Sequence, residues 1–154
     1  MAECLEKAGK PDQALAAYEA VIAAAPRSSR AADARMRIAA LHEQAGALDK
    51  ALALYEEVAN TSSGEEAAEA GFRVGEMLAA QGDHDRAARS FMRVAILFLH
   101  ERLSPEALWR AGQSFEAAGK PDQARKAYAE IAADYPDSPR TAEAQAAIAR
   151  LGAS

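Results

Sequence analysis

The sequence predicts an all-α, right-handed solenoid of antiparallel helix hairpins, roughly 3.5 repeats followed by a C-terminal capping helix. Three observations carry that expectation. The stretch AGKPDQA occurs at residues 8–14 and again at 118–124, with weaker copies between them, AGALDKA at 45–51 and QGDHDRA at 81–87. The alanines that close the four copies, Ala14, Ala51, Ala87 and Ala124, stand 37, 36 and 37 residues apart. Four residues beyond each comes an aromatic (Tyr18, Tyr55, Phe91, Tyr128), and three further on a β-branched residue (Val21, Val58, Val94, Ile131). A fixed period of this length marks stacked copies of one supersecondary unit, none of which can bury its apolar face alone.

Each unit reads as two helices around a glycine turn. In the fourth, Leu108, Ala111, Gly112 and Phe115 follow i, i+3, i+4, i+7 spacing, the apolar stripe of a first helix. Gly119 ends it in the left-handed conformation that glycine adopts without steric cost. Pro121 then opens the second helix, where its missing N–H costs nothing, and Asp122 faces the positive end of the helix dipole. Ala124, Tyr128 and Ile131 form the second stripe; the closing alanine lets the two helices approach closely. The segment YPDSP at 135–139 breaks that helix, with Ser138 as N-cap and Pro139 as first residue of the next.

Helices are therefore expected at 1–8 (incomplete), 11–25, 29–45, 48–60, 63–81, 84–102, 105–118, 121–134 and 139–151. They group as one repeat domain over 1–154: a truncated first repeat at 1–25, a second at 29–60, a third at 63–102, a fourth at 105–134 and the cap at 139–151. Met1 falls within a helix, so the chain is expected to be a fragment of a longer protein. The edge that an upstream helix would cover carries Leu15, Tyr18, Val21 and Ile22, and self-association into a homo-oligomer through it is expected.

Composition narrows the function. A net charge of −5 without clustered Lys/Arg disfavours nucleic acid. The longest run of large apolar residues, VAILFL at 94–99, is too short for membrane insertion. No charged leader with an apolar stretch opens the chain. Cys4 is the single cysteine, which excludes an internal disulfide. His42, His84 and His100 are scattered without a second ligand at metal spacing, so neither metal nor cofactor is expected. With no strand-borne phosphate loop and no nucleophile elbow, the chain is not expected to be an enzyme.

The glycine column (Gly9, Gly46, Gly82, Gly119), the alanine column and the aromatic column resemble the tetratricopeptide repeat over nearly the whole chain. Small residues take the eighth position of that pattern of about 34 residues (Ala39, Gly75, Gly112), and Pro26 and Pro136 the thirty-second. Arg35 and Gly71 depart from it, standing where a large apolar group is usual, and Ile96 runs on as a candidate exposed contact. The extra two or three residues per repeat, with Tyr135-Pro136-Asp137-Ser138, are similar to the longer variant of bacterial cell-envelope proteins, of the outer-membrane-assembly lipoprotein and Tol–Pal-associated periplasmic type. That resemblance implies the bacterial periplasm or cell envelope.

The family resemblance also implies a protein-interaction scaffold that holds a partner protein or peptide in a concave groove. Met36, Phe72 and Trp109 occupy one off-core position of the first helices, and Arg37, Arg73 and Arg110 follow them. Together with Glu76 and Gln113 they form the candidate binding set, suited to a peptide with apolar anchors and carboxylates. A second reading stands beside it. Asp33, Glu69 and Glu106 precede the arginines by four residues, so the arginines could serve their own helices, and the large side chains could pack between repeats. The alternative function is a structural module that self-assembles through the solenoid ends or convex face.

Overall fold

The computed structural model describes residues 2–98 and 103–152. Among them nine helices follow in order: α1 (Ala2–Lys7), α2 (Pro11–Ala24), α3 (Ser29–Gln44), α4 (Leu48–Thr61), α5 (Glu65–Ala80), α6 (His84–Phe98), α7 (Leu103–Ala117), α8 (Pro121–Asp134) and α9 (Thr141–Gly152). No strand occurs among the described residues. Residues 99–102, expected in the sixth helix, lie outside the described set.

The contacts divide the chain into two compact units, Met1–Ala70 and Gly71–Ser154. In the first, α1 packs on α2, α2 on α3 and α3 on α4. In the second, α7 packs against both α6 and α8, and α8 against α9.

AGKPDQA does what its residues dictate. Gly9 and Gly119 take φ of +69° and +70°, which turns the chain so that the next amide reaches back five residues. Lys10 N–H thereby bonds Leu5 O at 3.0 Å, and Lys120 N–H bonds Phe115 O at 2.8 Å. The degenerate copies close in the same way, Ala47 onto His42 at 2.8 Å and Asp83 onto Leu78 at 2.9 Å. Pro11 and Pro121 begin the following helices, whose N-cap lysines make no side-chain cap.

Across each turn the four column alanines are fully buried, and the aromatics four residues on are at most 5% exposed. The small column has a direct steric cause. A Cβ on Gly75 would lie 2.6 Å from the Phe91 ring, and one on Gly112 would lie 2.3 Å from the Tyr128 ring. The second-helix aromatic thus rests on bare first-helix backbone.

Helix boundaries differ from expectation by one or two residues, with local reasons at two of them. Ser28 caps α3 as a serine should, its side chain accepting from Ala31 N–H at 3.1 Å. At the equivalent link, Ser138 Oγ accepts from Arg140 N–H at 3.2 Å and its carbonyl from Thr141 N–H at 3.0 Å. That extra turn moves the start of α9 from 139 to Thr141. Gly64, at φ +73°, delays α5 from 63 to Glu65.

The two departures from the repeat pattern are both accommodated by polar contacts. Arg35 is largely buried, with its guanidinium 2.8 Å from Glu57 and bonded to Pro26 O at 3.0 Å. The carbonyl of Gly71 accepts from Ser90 Oγ at 2.8 Å. Ile96 and its neighbour Leu97 are 62% and 58% exposed.

Candidate partner-binding site

The sequence-derived binding residues are placed as follows. Met36 and Arg37 lie on α3 in the first unit, Met36 half-buried and Arg37 exposed. Phe72, Arg73 and Glu76 on α5, with Trp109, Arg110 and Gln113 on α7, lie in the second. Phe72 and Trp109 are half-buried against the second helix of their own repeat. The Phe72 and Phe91 ring centroids are 5.1 Å apart at 67°, an edge-to-face pair. Trp109 lies 5.0 Å from Tyr128, and the Arg140 guanidinium stands 5.4 Å over its ring.

The arginines take different acids. Arg110 pairs with Glu106 at 3.0 Å, the spacing the sequence suggests. Arg73 pairs with Glu76 at 3.0 Å, three residues on, and Arg37 comes within 4.0 Å of Glu3 on another helix. Glu106 also receives Arg140 at 2.7 Å. Burial works to raise the Glu106 carboxyl, but hydrogen bonds from Arg140 and Arg110 outweigh it and hold the group below the ordinary glutamate value.

One polar register escaped the sequence reading. Tyr18, Tyr55 and Tyr128 each donate their hydroxyl to a glutamate twelve residues earlier, Glu6 at 2.9 Å, Glu43 at 3.2 Å and Glu116 at 2.7 Å. Burial first, and the glutamate second, push Tyr18 up to about 12 and raise Tyr128 as well. The signal was present in the columns: where the tyrosine becomes Phe91, the residue twelve before it becomes Ala79.

Three of the candidate residues meet in space. Glu76, Arg110 and Gln113 line a recess of about 350 Å³ in the second unit, together with His84 and a floor of small side chains and the Phe91 ring. That volume lies at the small end of ligand-sized pockets. A larger cavity of about 520 Å³ in the first unit, bounded by Arg27, Arg35, Glu57 and Glu66, contains none of the candidate residues. Among the described residues no cluster of His, Cys, Asp or Glu could hold a metal ion, and no helix is long and apolar enough to cross a membrane.

Comparison with known proteins settles the family. Two tetratricopeptide-repeat models match the sequence, one over residues 2–66 and one over 106–138. The chain belongs to the tetratricopeptide-repeat superfamily. Its fold is similar to the crystal structure of MamA, with a TM-score of 0.68 and 19% identity over 98% of this chain and 82% of that one. A putative kinesin light chain of Podosopora anserina with TPR-like repeats matches at TM-score 0.69 and 15% identity, over 97% and 81% of the two chains. BtubC (BKLC) from P. vanneervenii matches at 0.67 and 17%, over 99% and 62%. At these identities the likeness establishes the fold, an α-solenoid of antiparallel helix hairpins. No curated protein matches the sequence significantly. Tetratricopeptide proteins are in general protein-interaction scaffolds.

Proposed function

We propose that this chain is an interaction scaffold whose first helices contact a segment of a partner protein. The observation that carries the reading is the recess in the second unit, where Glu76 of α5 meets Arg110 and Gln113 of α7 beside small apolar walls. Each first helix also offers one large side chain, Met36, Phe72 or Trp109, followed by an arginine. Apolar anchors of the partner contact these large side chains, and partner carboxylates meet Arg37 and Arg73, both exposed. The spacing of 36 and 37 residues and the serine-capped link at Ser28 support the longer-repeat, cell-envelope subgroup.

The test is the affinity of a partner identified by cross-linking, measured for wild type, Arg37→Glu and Arg73→Glu. We expect each reversal to weaken binding about tenfold or more, with a steep salt dependence in wild type. Melting should barely move, because only surface pairs worth about 0.2–0.5 kcal/mol are lost. Unchanged affinity in both variants removes the reading.

A further inference from the structure

The recess lies where the third repeat lacks three polar groups that bond one another at the equivalent place of the fourth. In the fourth repeat Glu116 accepts from the Tyr128 hydroxyl at 2.7 Å and from Arg150 of α9, thirty-four residues later, at 2.9 Å. Moved back one repeat, those places hold Ala79, Phe91 and, thirty-four residues after Ala79, Gln113. Carboxylate, hydroxyl and guanidinium are missing together. All three replacement residues line the 350 Å³ recess. Removing all three polar groups leaves no orphaned buried atom, since no buried side-chain nitrogen or oxygen among the described residues lacks a partner.

The remaining lining selects an occupant. Ala79, Ala80, Ala117 and the rim of Phe91 offer apolar contact. The two charges at the edge are already compensated, Glu76 by Arg73 and Arg110 by Glu106, both at 3.0 Å. A carboxylate entering here would meet Arg110, which already has its acid, and His84, but also the like charge of Glu76 and a ring without a hydroxyl. Among the described residues the exposed amide of Gln113 has no hydrogen-bond partner, and it carries both a donor and an acceptor, the complement of one peptide group.

We propose that this recess is a specificity subsite for one aliphatic side chain of an extended partner segment, with Gln113 bonding the segment's backbone. It rests on the scaffold reading above and adds to it the residue class that the segment must present.

The probe is the capped tripeptide acetyl-Gly-Leu-Gly-amide, titrated into the isotope-labelled chain with amide resonances followed by NMR. Saturable shifts are expected at Ala79, Ala80, Gln113 and Ala117, at least tenfold weaker with Asp in place of Leu. The double variant Ala79→Glu/Phe91→Tyr rebuilds the pair of the other repeats, so it should melt no lower than wild type and abolish the shifts. Ala117→Leu, at an exposed position on the recess wall, plugs the site without touching the packed ring and should act alike. Absence of shifts in wild type, equal shifts in a folded plugged variant, or preference for the Asp peptide overturns the subsite. Arg37 and Arg73 do not line the recess, so their reversals test the wider scaffold reading independently of the tripeptide result.

Discussion

The third and fourth repeats are built on the same packing and differ in their polar groups. Each seats a second-helix aromatic on a bare first-helix glycine, Phe91 on Gly75 and Tyr128 on Gly112. Each adds a second aromatic about 5 Å away, Phe72 in one and Trp109 in the other. Only the fourth adds a polar latch, in which Glu116 holds Tyr128 and Arg150. The comparison teaches that shape complementarity carries the hairpin and that the latch can be dispensed with. In the third repeat the residues at the latch positions, Ala79, Phe91 and Gln113, line a recess.

The largest effect should come from breaking what the two repeats share. Phe91→Ala and Tyr128→Ala each empty a fully buried ring site and should cost about 3–5 kcal/mol. Chemical denaturation measures both. If either variant lost less than about 1 kcal/mol, the ring would not be the element that carries its hairpin.

A smaller effect isolates the latch. Glu116→Ala leaves the buried Tyr128 hydroxyl without its acceptor and removes one partner of Arg150, at a cost of about 1–3 kcal/mol. Tyr128→Phe on top of it should recover part of that loss, because the orphaned hydroxyl goes too, and the fourth repeat then resembles the third. Failure to recover would mean that the hydroxyl finds another acceptor.

The smallest effect is on pH. Tyr18 is raised to about 12, and Tyr128 is raised too, while an unfolded tyrosine titrates near 10. A raised folded value means stability that is complete below pH about 10 and is lost as pH climbs from there toward the folded value. Tyr128→Phe should flatten that alkaline decline; replacing Phe91, which has no proton to lose, should leave its slope unchanged. Equal slopes in wild type and Tyr128→Phe would contradict the assignment.

Much of this fold was legible in the sequence because its determinants are local and steric. Glycine at the turn, proline after it, alanine at the crossing and an aromatic four residues on each constrain the backbone or the interhelical distance directly. Repetition let the glycine, the alanine and the aromatic be read four times and the proline twice. The candidate site was legible as a list of positions, from the off-core column of the first helices. What could not be read was which of them meet. Glu76, Arg110 and Gln113 converge on one recess, whereas Trp109 is taken up by Tyr128 and Arg140.

By itself, then, the sequence determined the helix hairpin, its turn and the register of small against large side chains, since volume and backbone freedom belong to each residue wherever it stands. The tertiary structure alone decided the polar pairings of arginine and lysine between repeats. Arg140 reaches Glu106 and Trp109, Arg150 reaches Glu116, and Lys120 reaches Asp85, each from a different repeat. Long charged side chains have many acids within reach along the chain, with small energy differences among them, and only the packing of neighbouring helices selects one.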